Sequence, residues 1–298
     1  MEDYSTIIYL SVFMGTYARI FMLKIDYRQY PSYPQSFVAH LVLGFVAACL
    51  GSVATPAFVG RDYSAVTFLA LATSQFREIR NMERLSLENL EETELVKRGK
   101  AYIEDIAKRF EARNYVAFIT SFIVCTFSIL FSKHFKMVYV IVMAFLLGFA
   151  VMLFLNHLMR TGLIKDIATV QEAHISFNGP LLLVDDVVIM NIGHDVSKEI
   201  IKEKATAVLI IPKSKNAIAT LANIGQRQAI LHNLATQLGI RKDVDEPDFT
   251  PIARRQPETG SIAVIILTLE KSMDKMIDAT EKAPILESAR RKMKRNKG

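Results

Sequence analysis

Acidic residues are missing from the interiors of this chain's long apolar runs. No Asp or Glu lies deep in any of them. That excludes an intramembrane aspartyl protease, whose chemistry needs two carboxylates inside the membrane. It also removes the usual mark of ion-coupled transport. H-E-x-x-H is absent, so two metal ligands one helical turn apart are not available. There is no Ser in a Gly-rich turn with a partner His, as a rhomboid-like enzyme would need. G-x-x-x-x-G-K-[ST], G-x-G-x-x-G and C-x-x-C are missing as well. Cysteine is scarce: Cys49 and Cys125 both sit in oily runs, where they pack as small hydrophobes and imply no disulfide framework. The first apolar run, in "MEDYSTIIYLSVFMG", follows acidic rather than basic residues. It reads as a retained membrane helix and not as a secretory signal.

What is present is oil, unevenly placed. Apolar residues make up 51% of the 298, and most of the long runs precede Arg160. A spanning helix needs about 20 mostly apolar residues. Five stretches are candidates: 5–23, 36–58 (with Pro56), the short 63–76, 115–131 and 137–159. Lys and Arg accumulate on the cytoplasmic side of a membrane. Nine of them fall in 77–114, which places that segment inside, the N-terminus outside and the C-terminus inside. Losing 63–76 as a span flips the N-terminus alone. Arg19, His40 and His157 lie near predicted cytoplasmic helix ends, where Arg19 can snorkel and the histidines can sit at the interface.

From residue 164 onward short β-rich runs alternate with helical ones. "AHISF", "DVVIMNI", "TAVLIIP" and "SIAVIILTLE" read as strands; 197–204, 216–238 and 273–282 read as helices. This alternation predicts an α/β domain with a partly parallel sheet. The expected architecture is therefore an α-helical transmembrane bundle of about five spans (1–159, with a charged loop at 77–114), then a small cytoplasmic α/β domain (160–284), then a basic tail (285–298). Six of the eight residues 290–297 are Lys or Arg. Such a tail suits an anionic lipid surface; without interleaved aromatics, nucleic acid is not an expected partner.

The loop carries nine acidic residues beside its nine basic ones and breaks near Gly99. After the break, Tyr102, Ile103, Ile106, Ala107 and Phe110 recur at helical spacing. Glu104 with Lys108, and Asp105 with Arg109, are favourable i,i+4 pairs. The helix is either a solvated connector or one docked on the soluble domain. In the second case Tyr102, Glu104 and Asp105 belong to a coupling helix between bundle and domain. Tyr102-Ile103-Glu104-Asp105-Ile106-Ala107 resembles the hexapeptide that names the YIEGIA family of bacterial membrane proteins, with Asp105 where the name has Gly. "NIGQRQAILHNLATQLGIRKDVDEPDFTPIARR", 223–255, is similar to the family's C-terminal block. The resemblance implies a membrane protein of endospore-forming Firmicutes with a sporulation-linked role, and supplies no catalytic residues. An Asp at 105 fits a solvated helix face better than a tight packing point.

Projected as one helix, 216–238 places Leu221, Ile224, Leu231, Leu234, Ala235 and Leu238 on an apolar stripe, with Arg227 and Gln228 inside it. Buried, those two must find partners; a helix reset at Gly225 would turn them outward. Alternatively they form a polar pocket for a carboxylate or phosphate, joined by His232 one turn on. Asp243, Asp245, Glu246 and Asp248 could gather a hard cation, but the loop fails as an EF-hand, and Arg254 and Arg255 can pair with those acids instead. No metal or cofactor is expected. The expected activity is binding: the cytoplasmic domain takes a partner protein or small anion in a regulatory or scaffold role, with Arg227, Gln228, His232, Asp245, Glu246, Arg254 and Arg255 as candidate contacts. The alternatives are a membrane-anchored hydrolase or protease using Arg227, His232 and Asp245, which needs His232 beside an acid or nucleophile, and a transporter marked by Arg19 and His40.

Overall fold

A computed structural model describes residues 4–26, 35–159, 162–243, 246–247, 249–269 and 271–290. The chain forms two compact units: Met1–Arg84 with Ile106–Arg160, and Leu85–Asp105 with Thr161–Gly298.

Helices α1 (Ser5–Asp26), α2 (Gln35–Val59), α3 (Tyr63–Leu90), α4 (Lys100–Ser132) and α5 (Met137–Leu158) supply the first unit, α3 and α4 each giving one end to the second. Among the described residues four helices are long and apolar enough to cross a membrane, at Ser5–Met22, Val38–Val59, Lys100–Ser132 and Met137–Leu158. The expected span at 63–76 is not one of them. It is the apolar start of α3, which continues into a charged half that ends at Leu90. The predicted break at Gly99 is real, with φ +82°, and α4 starts directly after it.

Small residues set the spacing of this unit. A Cβ on Gly51 would lie 2.3 Å from the Phe118 carbonyl oxygen, and one on Gly15 2.7 Å from that of Ala117. Polar contacts run along the α2–α4 seam. Ser121 Oγ donates to Ala48 O (2.7 Å), Cys125 Sγ to Ser52 O (3.0 Å), and the hydroxyls of Thr55 and Thr126 meet at 2.7 Å. Close backbone approach reinforced by hydroxyl bonds is how helices associate where water gives no hydrophobic drive.

The second unit contains a four-residue helical turn α6 (Ile164–Ile167), strands β1 (Ala168–Glu172), β2 (Ile175–Asn178), β3 (Leu181–Val184) and β4 (Val187–Asn191), helix α7 (Asp195–Lys204), strand β5 (Ala205–Pro212), helices α8 (Lys215–Ala222) and α9 (Ile224–Leu238), a minimal hairpin of β6 (Lys242–Asp243) and β7 (Glu246–Pro247), strands β8 (Ile252–Arg255) and β9 (Ile262–Leu267), and helix α10 (Met273–Glu281). The main sheet runs β1-β5-β9-β8, and β2-β3-β4 forms a second sheet. Every pairing in both is antiparallel, which corrects the partly parallel expectation. Two features that the alternation does not reveal, β1 and the meander, return the chain to the same side before β5 begins.

The main sheet is buried on both faces, so β9 reads as an unbroken apolar run. Val208, Ile210, Ile262, Val264 and Ile266 pack with Leu221, Ile230, Leu234 and Met276 of the helices. The alternate residues Ala205, Ala207, Ala263 and Ile265 pack against Leu182, Val184 and Ile189 of the meander. The predicted helix 216–238 is two helices. Asn223, at φ −66° and ψ 129°, ends α8 and caps α9, its side chain accepting from Gln226 N. The break shifts the phase of the stripe: Ile224 is exposed, while Ile230, outside the projected stripe, is fully buried.

The first unit's spacing gives a direct test. Gly51→Ala forces Phe118 to move and should destabilise the protein by about 1–3 kcal/mol. Gly193→Ala, with nothing within 4 Å of the new methyl, should change stability by less than about 0.5 kcal/mol. Thermal melting of the two purified variants beside the parent checks both.

Candidate functional site

Helix α9 concentrates the polar side chains of the second unit. Gln226 is fully buried, and its amide brackets a single stretch of backbone: Nε2 donates to Pro284 O and Oε1 accepts from Leu286 N, both at 2.8 Å. Asn233 donates to Ala279 O at 2.8 Å. Gln228 Nε2 donates to Lys97 O. His232 Nδ1 lies 2.7 Å from Val96 O. A carbonyl only accepts, so Nδ1 carries the hydrogen and the lone pair of the neutral ring lies on Nε2. Burial pushes the imidazole below its ordinary value, and the bond to Val96 works the other way.

The segment before α4 is held from this helix. Glu91 accepts from Arg98 N and Gly99 N, and Glu94 pairs with Arg98 at 2.9 Å. Gly99 has a left-handed φ, and a Cβ there would lie 3.1 Å from Gln228 Cγ. The first turns of α4 then dock. Ala101 sits where a side chain on Gly225 would fall, the Tyr102 ring meets His232 edge-on at 6.1 Å, and Asp105 Oδ1 accepts from Glu287 N at 2.9 Å. Asp105 is 4% exposed. The reading of position 105 as a solvated face is therefore corrected: the buried carboxylate accepts a main-chain hydrogen bond at the start of the turn 287–289. Glu104 beside it is half-buried.

The sequence-predicted contacts divide into two groups. Gln228 and His232 join Tyr102. Arg227 goes elsewhere: Nη1 donates to Ala253 O at 3.1 Å on the edge strand β8. Arg254 is exposed, and its Nη2 donates to Ile189 O at 2.6 Å; Arg255 is exposed beside it. Burial first, then the charges of Arg255 and Arg254, lower the Arg227 guanidinium from its ordinary value. Asp245 and Asp248 lie outside the described residues, as do the side chains of Asp243 and Glu246. Among the described residues no three His, Cys, Asp or Glu side chains gather to hold a metal. Sequence reasoning missed Gln226. Its signal was the spacing Asn223-x-x-Gln226, a capping pattern that marks the start of α9.

One further arrangement lies at the far end of α9. His232 Nε2 is 3.3 Å from Thr236 Oγ1, whose one hydrogen goes to His232 O at 2.9 Å. Thr236 lines a cavity of about 600 Å³, together with Thr93, Glu94, Ile240, Arg241 and Leu269.

A family model described as "YIEGIA protein" matches residues 7–296. The chain is 39% identical over 289 residues to "Uncharacterized protein YphB" of Bacillus subtilis (strain 168), covering 97% of this chain and 95% of that protein. No solved structure matches it.

Gln226→Leu should cost about 2–4 kcal/mol, because it strands a buried carbonyl and a buried N–H together. Gln237→Leu, on the exposed face of the same helix, should stay within about 0.5 kcal/mol of the parent. Hydrogen exchange at Leu286 distinguishes them: it should accelerate in the first variant alone.

Proposed function

The chain belongs to the YIEGIA family, and from that premise we propose an integral membrane protein whose second unit, on the cytoplasmic side, binds an anionic partner protein or small anion. Four apolar helices of spanning length support the membrane reading. So does the apolar surface that α5 turns outward, with Val138, Leu146 and Phe154 each more than 60% exposed. Lipid covers such a surface at no cost in water contact. Along their seam α2 and α4 run in the same direction, Ala48 with Ser121 and Ser52 with Cys125, so α3 carries the chain back along the bundle and the two termini fall on opposite sides. The charged stretch 77–114, around the start of α4, then lies inside with its basic residues, as the charge bias requires, with the C-terminal unit on the same side and the N-terminus outside. The sporulation-linked role belongs to the same proposal and rests on the family resemblance read in the sequence.

The observation that carries the binding reading is the grouping of Arg227, Arg254 and Arg255. Their charges oppose one another, and an incoming carboxylate or phosphate relieves that opposition while meeting fork-shaped donors. Most polar groups of α9 are engaged with main chain. Their work is to hold the module together, which suits a scaffold.

A hydrolase is the second reading, and one observation favours it. The lone pair of His232 faces the Thr236 hydroxyl at 3.3 Å, with the ring oriented from behind by Val96 O. A turn of the hydroxyl from His232 O to Nε2 would set a base beside a potential nucleophile.

Cross-linked full-length protein purified from sporulating cells tests both. Arg255→Glu should lose a specific partner that the parent retains, and the parent's capture should weaken as salt is raised. An unchanged partner set in Arg255→Glu, with an uncleaved protein accumulating in Thr236→Ala cells, would overturn binding in favour of hydrolysis.

A further inference from the structure

Strand β8 is an edge of the main sheet, and among the described residues no strand pairs with its outer side. The register fixes which main-chain groups lie there. Ile252, Ala253, Arg254 and Arg255 stand opposite Ile265, Val264, Ala263 and Ile262. In the same register Gln256 N donates to Ser261 O. Groups that point toward the partner strand alternate along an antiparallel pair. Ile252, Arg254 and Gln256 therefore direct their N–H and C=O groups at β9, and Ala253 and Arg255 turn theirs outward. One hydrogen bond agrees independently: Ala253 O accepts from Arg227 Nη1 of α9 at 3.1 Å.

The side chains around this edge are basic, and Arg254 and Arg255 are exposed. Successive side chains point to opposite faces of a strand. Arg254 lies on the meander side, where its Nη2 donates to Ile189 O at 2.6 Å. Arg255 lies with Ala253 on the side of α9, from which Arg227 arrives. Arg227 Nη1 is engaged, but its Nε has no hydrogen-bond partner among the described residues. The Nε–Nη2 side of a guanidinium is a fork that fits a carboxylate.

We propose that β8 takes an acidic, extended segment of a partner protein as a fifth strand of the four-stranded main sheet. This deepens the anion-binding reading above and rests on it. The partner's main chain pairs with the outward groups of Ala253 and Arg255. A carboxylate on its α9 side meets Arg227 and Arg255. A carbonyl has two lone pairs, so Arg227 keeps its bond to Ala253 O while a main-chain N–H joins it. Charge on an edge strand discourages unwanted pairing. Here the charge has one sign. It opposes a second copy of β8, which would bring arginines together, and admits a strand that carries carboxylates.

The test uses full-length protein in nanodiscs of zwitterionic lipid and a fluorescent peptide that alternates Glu and Val over seven residues. Alternation puts every carboxylate on one face. A second peptide, with the same sequence but N-methylated at every amide, keeps the charge and cannot donate to an edge. The first should bind at least about tenfold more tightly than the second, the worth of one or more main-chain hydrogen bonds. It should also slow hydrogen exchange at the Arg255 N–H about tenfold or more. Ala253→Pro removes one outward N–H and takes no bond from β9; it should weaken the first peptide about tenfold. The comparison of the two peptides on the parent needs no variant to fold. Absence of binding, equal affinity for the two peptides, or an unprotected Arg255 N–H overturns strand addition. The anion-binding reading fails separately, when Arg255→Glu retains the partner that the parent captures.

Discussion

Buried main-chain groups must find partners, and most of this architecture's second unit follows from how that requirement is met. Two irregular stretches, 96–99 and 284–287, pass through protected surroundings without belonging to a sheet or a long helix. The buried groups among them, such as the Val96 and Pro284 carbonyls and the Leu286 N–H, would each cost on the order of 1–3 kcal/mol if left alone. Helix α9 supplies the partners: Gln226 for Pro284 and Leu286, Gln228 for Lys97, His232 for Val96. Amides suit the task because one side chain can donate and accept at once. This is why a helix in contact with the core carries so many polar residues.

The same requirement explains the hexapeptide. Its tyrosine rests on His232, and its fourth residue, Asp105 in this chain, accepts from Glu287 N. The hexapeptide opens α4 at the place where the 96–99 stretch is already held. It therefore acts as a docking element, and its charged residue is there for a hydrogen bond and not for solubility. The glycines nearby serve the same end. Gly99 supplies a left-handed turn, and Gly225 makes room for Ala101.

The first unit solves a different problem. Its four long apolar helices are oily over most of their length, so hydrophobicity does not choose which faces meet. Small residues and hydroxyls make that choice: Gly15 and Gly51 let backbones approach, and Ser121, Cys125 and the Thr55–Thr126 pair tie α2 to α4. Arg19 is the exception that needed structure to interpret. Its place near a helix end suggested an escape to the interface, but Gly44 opposite offers room for its stem inside.

Element existence was legible because periodicity and length report local physics. The four long apolar helices, the strands β2, β4, β5 and β9, and the break at Gly99 all follow from runs, alternation and a turn residue in the chain itself. What the sequence could not reveal depended on partners distant along it. The antiparallel sense of the sheet rests on where β1 and the meander go. The phase of α9 rests on a single extended residue, Asn223, which a uniform 100° projection overruns. The burial of Asp105 and Arg19, and the separation of Arg227 from Gln228 and His232 onto different backbones, rest on neighbours as far as 182 residues away. Sequence alone determined which segments are oily, helical or extended, because those preferences arise within a few residues. Tertiary structure alone decided which polar groups meet, because a buried side chain takes its role from whatever the fold places within hydrogen-bonding reach.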